Sequence, residues 1–196
     1  MDSDPIARFK KLLAEAEQLG IRPHNAAAFA TTGKDLQPTV RMLLLKSVDE
    51  SSFVFYTNLQ SRKGRQLTDN PRASACFWWS QLARQVRIEG HIELVSDREA
   101  DEYFTTRPRG SQIGAWASPQ SSELSSRDEL VTAASRWRHN TPGGRFRARR
   151  TGPATGWCPS ASISGESSLT VCTSARSTRA KRTAGKSRCW RRDRRD

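Results

Sequence analysis

Apolar residues recur at helical spacing near the start of the chain. Ile6, Phe9 and Leu13 are separated by three or four residues, which places them on one face of a helix. Gly20 suits the position just beyond a last helical turn. This pattern predicts a helix with one apolar side over residues 4–20.

From residue 26 onward the pattern changes to short runs rich in β-branched and aromatic residues. A turn signal at Gly33 separates the first two runs. In the last run Val86 and Ile88 alternate with Arg87 and Glu89, so one face is apolar and the other is charged. The pattern predicts strands over residues 26–31, 38–48, 52–57, 72–79 and 84–95.

Helical segments separate and follow these strands. A short helix over 61–69 is expected to end at Asn70, because a residue before proline avoids helical backbone angles. Asp97 is expected to cap a helix over 97–106, and further helices are predicted over 111–117 and 125–137. Antiparallel strands with peripheral helices predict a mainly β fold with peripheral α (α+β), built on a small β-barrel.

The composition changes abruptly near residue 138. Residues 1–138 contain 19 Lys or Arg against 17 Asp or Glu, whereas residues 139–196 contain 14 basic residues against 3 acidic ones. The net charge of +13 therefore comes mostly from the tail. Large apolar residues are sparse there, so we expect a folded domain over 1–138 and a disordered Arg/Ser-rich tail over 139–196.

Several classes of protein are disfavoured by the sequence. No apolar run reaches the 18 residues that a transmembrane helix needs, and the acidic start does not resemble a signal peptide, which makes the cytoplasm the expected location. The folded part also lacks a Gly-rich phosphate loop, Cys/His metal spacing and a defensible Ser/His/Asp pattern. We therefore expect no metal, and no catalytic acid or base is identified in residues 1–138.

Basic residues lie where they could hold an anion. Arg41 and Lys46 are five residues apart on one predicted strand and would point to opposite sides of it. Arg62 and Lys63 open a predicted helix, where free N–H groups and the helix dipole favour negative charge. From spacing alone, two interpretations remain open: solvated strand and helix surfaces, or a site for a phosphate-bearing ligand.

Longer motifs add a resemblance. The segments RMLLLK, FVFYTN, SRKGRQL, NPRA, RQVRIEG and YFTTRPRGSQIGAWASPQS closely resemble the pyridoxine/pyridoxamine 5′-phosphate oxidase family. The resemblance is nearly continuous over residues 26–122. It implies a split β-barrel that binds FMN at a homodimer interface.

The resemblance also implies site residues. The phosphate of FMN would pair with Arg62 and Lys63. The full set of implied FMN contacts is Arg41, Met42, Leu43, Leu44, Leu45, Lys46, Tyr56, Thr57, Arg62, Lys63, Gln85, Gln120 and Ser121. The phosphate of the substrate would lie among Lys46, Tyr103, Arg107 and Ser111. The implied reaction oxidises pyridoxine or pyridoxamine 5′-phosphate to pyridoxal 5′-phosphate, with O2 as acceptor and H2O2 as product.

The tail departs from the family. The family's last part carries a Trp against the flavin and an Arg-Leu-His segment at the substrate, but the corresponding places here are Gly165 and residues 171–173, Val-Cys-Thr. Read one base out of frame with permitted codons, the tail from Ala148 onward yields Phe-Trp and Arg-Leu-His at these offsets. The sequence therefore predicts a frameshifted C-terminus and impaired oxidase activity.

Two other functions remain as alternatives. A related split-barrel flavin oxidase could act on another substrate, such as a phenazine precursor, although the four implied phosphate contacts argue against it. A protein that binds polyanions nonspecifically through its basic tail is the other alternative, and its binding would weaken steeply with salt. We expect no specific nucleic-acid partner and no membrane partner.

Overall fold

Antiparallel strands hydrogen-bond in a ring. The computed structural model describes residues 4–140 and two later strands, 161–173 and 177–179. Strand order is β3-β2-β1-β4-β5-β6-β7, and β3 also pairs with β6, which closes β1 to β6 into a barrel. The mainly β fold with peripheral helices is confirmed. The strands are β1 (Ala26–Thr32), β2 (Pro38–Val48), β3 (Phe53–Phe55), β4 (Arg72–Trp79), β5 (Arg84–Leu94), β6 (Ala161–Thr173) and β7 (Ser177–Arg179).

Strand β6 closes the barrel. Ile163 on this strand is paired with Phe53 of β3 and with Ile92 of β5. Two stretches of the segment expected to be disordered are therefore strands. The difference has a physical reason: a ladder is made by backbone N–H and C=O groups, which a low-apolar sequence also carries. Residues 139–140 belong to a helix, and the rest of that expectation concerns residues 141–160, 174–176 and 180–196, which lie outside the described residues.

The inward side chains of the strands form the main core. Phe29, Phe77 and Ile88 come from three neighbouring strands, and each is at most 1% exposed. The first helix covers this core with Phe9, whose ring centroid lies 5.1 Å from those of Phe53 and Phe77. The apolar stripe predicted for this helix thus faces the barrel.

Five helices accompany the strands in the described residues. Ala100 and Phe104 pack with Ile113 and Ala115 in a second, smaller core outside the barrel. The N-cap of the third helix is Ser96, whose Oγ accepts a hydrogen bond from the backbone of Glu99, and not Asp97 as expected. The helices are α1 (Pro5–Gln18), α2 (Arg62–Asp69), α3 (Asp97–Thr106), α4 (Arg109–Ala117) and α5 (Arg127–Asn140).

Candidate functional site

A buried lysine lies at the N-terminus of α2. Ser61 caps this helix by accepting a hydrogen bond from the backbone N–H of Gly64 at 3.3 Å. Lys63 is 5% exposed, and its Nζ donates to Ser61 Oγ at 3.1 Å and to Gln120 Oε1 at 2.9 Å. Gln120 follows α4, so residues distant in sequence meet at this helix end.

Arg41 approaches the same place from β2. Its Nη1 donates to the carbonyl of Phe29 at 3.0 Å and to Thr31 Oγ1 at 2.7 Å, and its Nη2 donates to Thr39 Oγ1. These acceptors are all neutral. Within residues 4–140, no carboxylate forms an ion pair with Arg41, Arg62 or Lys63.

The three cations lie close enough to perturb one another. Burial, and after it the charge of Arg41, lowers the pKa of Lys63 to about 8. Burial, and after it the charge of Arg62, lowers the pKa of Arg41. A cluster of like charges at a helix N-terminus is relieved by an anion, which also gains the free N–H groups of that terminus. We call Arg41, Arg62 and Lys63 the cation cluster.

A second group of predicted residues meets at the end of β3. Leu45 is paired with Phe55 and Ser47 with Val54, so Lys46 is an extra residue in a β-bulge of β2. A bulge re-aims a side chain, and Lys46 Nζ lies 5.9 Å from the ring centroid of Tyr103 on α3. Arg41 and Lys46 contact different groups, but the bulge interrupts the alternation from which their opposite orientations were expected, so that orientation stays a prediction.

Two tyrosine rings stack beside this lysine. The rings of Tyr56 and Tyr103 are nearly parallel, at 3°, with centroids 3.6 Å apart. Burial and then the charge of Glu99 raise the pKa of Tyr56 to about 12, so its hydroxyl stays protonated near neutral pH. Arg107 adds a second cation: burial lowers its pKa, whereas the neighbouring Tyr103 opposes that shift.

The loop between the two groups holds an unsatisfied hydroxyl. Thr57 is 4% exposed, and its Oγ1 has no hydrogen-bond partner among the described residues. A buried hydroxyl without a partner costs free energy of folding. Its position between Tyr56 and the N-terminus of α2 suits a polar ligand that reaches both groups.

Among the described residues of a single chain, the other predicted site residues do not contact the cation cluster or the group formed by Lys46 and the two tyrosines. Gln85 lies on β5 opposite Trp78, on the outward side of the sheet. Ser111 is exposed in the first turn of α4, and Ser121 is in an exposed turn at φ 65°. Met42 and Leu44 are exposed on β2, whereas Leu43 and Leu45 pack against the core.

The structure adds polar residues that sequence reasoning missed. Gln66 is buried and bonded to the two threonines that also accept from Arg41, and the carboxylate of Glu99 is close enough to Tyr56 to help raise the pKa of its hydroxyl. Gln112 Nε2 contacts the carbonyls of Phe104, Thr105 and Arg107, which fixes the end of α3. Gln66 and Gln112 lie within motifs that had been singled out, but only the tertiary contacts reveal these roles.

Two negative findings hold for the part of the chain that the structure describes. Its His, Cys, Asp and Glu side chains form no group of three or more that could hold a metal ion. None of its helices combines the length and apolar character needed to cross a membrane.

Comparisons with known proteins show the family of the chain. A sequence model described as pyridoxamine 5′-phosphate oxidase matches residues 12–141. A pyridoxine/pyridoxamine 5′-phosphate oxidase of Rhizobium meliloti is 51% identical over 135 residues, which cover 69% of this chain and 66% of the relative. The Myxococcus xanthus enzyme of the same name is 52% identical over 127 residues, covering 65% of this chain and 62% of the relative. The match thus spans slightly less than two thirds of these relatives.

Solved structures share the fold. PhzG from Burkholderia lata, in complex with tetrahydrophenazine-1-carboxylic acid, superposes with a TM-score of 0.77 at 27% identity, covering 89% of this chain and 83% of PhzG. A pyridoxamine 5′-phosphate oxidase-related, FMN-binding protein from Nostoc punctiforme gives 0.61 at 15% identity, covering 84% and 81%. With a barrel of this type and the matched sequence motifs, the chain belongs to the pyridoxamine 5′-phosphate oxidase family.

Proposed function

We propose that the chain binds FMN, with the phosphate of the flavin on the cation cluster. The observation that carries this proposal is the convergence of Arg41, Arg62 and buried Lys63 at the N-terminus of α2, where no carboxylate of residues 4–140 pairs with them. The unpartnered hydroxyl of Thr57 fits the same ligand. The further proposed contacts are residues 42–46 of β2, Tyr56, Gln85, Gln120 and Ser121.

We further propose that the substrate is pyridoxine or pyridoxamine 5′-phosphate. Lys46, Tyr103 and Arg107 would bind its phosphate, with Ser111 at the start of α4 as a fourth contact. When bound, FMN would supply the oxidation chemistry and pass the electrons to O2, giving H2O2 and pyridoxal 5′-phosphate. The protein would bind and orient the substrate, and no side chain of residues 4–140 is assigned as acid or base.

A homodimer would complete this site. Val40, Met42, Leu44 and Trp78 are between 41% and 68% exposed and lie on one outward sheet face. Gln85 shares that face and is not joined to the cation cluster within one chain. A second copy packed on this face would bury the apolar row and could present Gln85 to the flavin.

Turnover by this chain is proposed to be impaired. Strand β6 places Cys172 opposite Gln85 and Val171 opposite Val86, in the stretch where the resemblance expects Arg-Leu-His. None of the three residues there can supply the charge of Arg or the imidazole of His. The frameshift that would explain this difference stays a prediction, as does the cytoplasmic location.

One alternative substrate has a specific observation in its favour. The similarity to PhzG is consistent with a flavin oxidase that acts on a phenazine-type compound. The proximity of Lys46, Tyr103 and Arg107 favours a phosphorylated substrate instead, because three phosphate-binding side chains have no evident use with an unphosphorylated tricyclic compound. Nonspecific polyanion binding by the basic tail would follow from its charge alone, and we do not propose it as the function.

Anaerobic mixing separates these possibilities. The FMN-loaded chain and a version with the tail restored to the alternative frame are each mixed with pyridoxamine 5′-phosphate, with pyridoxamine and with a dihydrophenazine carboxylate. We expect only the phosphorylated vitamer to bleach the visible flavin absorbance, and much faster in the restored version. Bleaching by the phenazine alone would contradict the substrate proposal, and equal rates in the two versions would contradict the impairment.

A further inference from the structure

The side chain of Gln66 is linked to Arg41 through two threonine hydroxyls. Gln66 belongs to the second turn of α2 and is 6% exposed. Its Oε1 accepts hydrogen bonds from Thr31 Oγ1 and from Thr39 Oγ1, each at 2.7 Å. One buried amide oxygen therefore fixes two hydroxyl groups on neighbouring strands.

These two hydroxyls in turn hold the guanidinium of Arg41. Because each hydroxyl gives its proton to Gln66, its oxygen is left to accept from Arg41. Nη1 of Arg41 donates to Thr31 Oγ1 at 2.7 Å, and Nη2 donates to Thr39 Oγ1. The two terminal nitrogens of Arg41 thus donate to two hydroxyl oxygens, and the orientation of both hydroxyls is set by Gln66 Oε1.

We call Gln66, Thr31 and Thr39 the relay to Arg41. The acceptors in this relay carry no charge. A carboxylate bonded directly to Arg41 would orient it equally well but would cancel its positive charge. Hydroxyls backed by an amide orient the guanidinium and leave its full charge for a ligand on the opposite edge. A neutral relay is therefore suited to anion recognition rather than to structural pairing.

We infer that Gln66 is a positioning residue for phosphate recognition, acting through Thr31 and Thr39 on Arg41. This inference rests on the proposed binding of FMN at the cation cluster. Without the amide oxygen, the hydroxyl of Thr39 could turn toward the carbonyl of Thr31, 3.4 Å away, and Arg41 would lose a fixed partner. Affinity for the phosphate would fall, whereas affinity for the flavin ring would not.

The test replaces Gln66 with methionine, which has similar length but no acceptor oxygen. Dissociation constants for FMN and riboflavin, which differ only in the phosphate, are measured by flavin fluorescence on the full chain. We expect Gln66→Met to weaken FMN binding about tenfold, the loss typical of one hydrogen bond to a charged group, and to leave riboflavin binding unchanged. Equal losses for both flavins would show a merely structural role and overturn the inference, as would no loss.

Control variants locate the effect. Thr68→Val removes a hydroxyl from the exposed side of the same helix, where Thr68 bonds only the carbonyl of Gly64, and should leave the preference for FMN unchanged. In an Arg41→Met background, Gln66→Met should cause no further loss, because the two residues act as one unit. Additive losses would overturn the relay.

A readout without flavin separates this inference from the proposed function. Inorganic phosphate should raise the melting temperature of the unmodified chain, and should raise it less in Gln66→Met. If the chain shows no preference for FMN over riboflavin but phosphate still distinguishes the two proteins, the proposed cofactor is wrong and the positioning role stands. If phosphate stabilises both proteins equally or neither, the positioning role is wrong.

Discussion

At the scale of single residues, Lys63 sets the pH dependence of anion binding. Burial and the charge of Arg41 lower its pKa to about 8, so the free chain loses this charge on the alkaline side of that value. We expect FMN affinity to fall as pH rises through about 8, by at most about tenfold per pH unit because one proton is involved. The titrations stay above about pH 7, because the phosphate itself takes up a proton near pH 6. Fluorescence titrations across this range measure the effect.

Two controls identify the titrating group. Riboflavin lacks the phosphate, and its affinity should stay flat over the same range. Lys63→Arg keeps its charge throughout, so any remaining FMN binding by this variant should lose the alkaline fall. A fall of equal size in Lys63→Arg would mean that another group is responsible.

The buried hydroxyl of Thr57 lowers the stability of the free chain, and we expect it to contribute to FMN affinity. It is buried without a partner in the free chain, so Thr57→Val removes a desolvated polar group while keeping the shape of the side chain. We expect the free energy of unfolding to rise by about 1 kcal/mol, and FMN affinity to fall several-fold. Urea denaturation and FMN titration of the same variant measure both. A less stable variant with unchanged affinity would contradict a ligand role for this hydroxyl.

The sequence allowed some of these residues to be predicted. The position of Arg41 and Lys46 on one strand was predicted, but the direction of Lys46 was not, because the β-bulge at this residue interrupts the strand alternation on which the expectation relied. Gln66 and Glu99 were not predicted as site residues. Each acquires its role only from a partner that the fold brings close. Gln66 meets Thr31 across 35 positions, and no local pattern encodes that distance.

At the scale of elements, α1 packs on the barrel through an apolar face in which Phe9 is the largest fully buried side chain. Phe9 is fully buried and touches the rings of Phe53, Phe77 and Trp79. We expect Phe9→Ala to lower the free energy of unfolding by about 3–5 kcal/mol, because the cavity adds to the lost burial. Urea denaturation measures this change. Lys10→Ala on the exposed side of α1 should change it by less than about 0.5 kcal/mol, and similar losses in both variants would contradict this packing.

Strands with a clear alternation of apolar residues and flanking turns were predicted well. A strand that is held by pairing with distant strands was not. The predicted bounds of β2 and β4 are the observed ones, because turn residues flank clear strand patterns. The cap of α3 was misplaced by one residue, since Ser96 and Asp97 are both suitable cap types. Strand β6 was missed because its apolar residues are sparse and its pairing with β3 and β5 is made by the backbone.

At the scale of the whole molecule, the exposed sheet face predicts association of two copies. Trp78 is 59% exposed beside the apolar row of β2, so a charge there should block association without disturbing the core. We expect the unmodified chain to sediment as a dimer, and Trp78→Glu to sediment as a monomer with an unchanged far-ultraviolet spectrum. Gln18→Glu, at the exposed end of α1, also changes the charge by one unit and should stay dimeric, whereas a monomeric Gln18→Glu variant would point to a charge effect rather than to loss of the apolar contact. A dimeric Trp78→Glu variant would place the interface elsewhere.

The central claim is that the cation cluster recognises the phosphate of a flavin. The most direct measurement is a calorimetric titration of the purified chain with FMN and, separately, with riboflavin. We expect saturable binding of one FMN per chain, with riboflavin at least about tenfold weaker because three cations lose their anion. Equal affinity for the two flavins, or no binding of FMN, would contradict it.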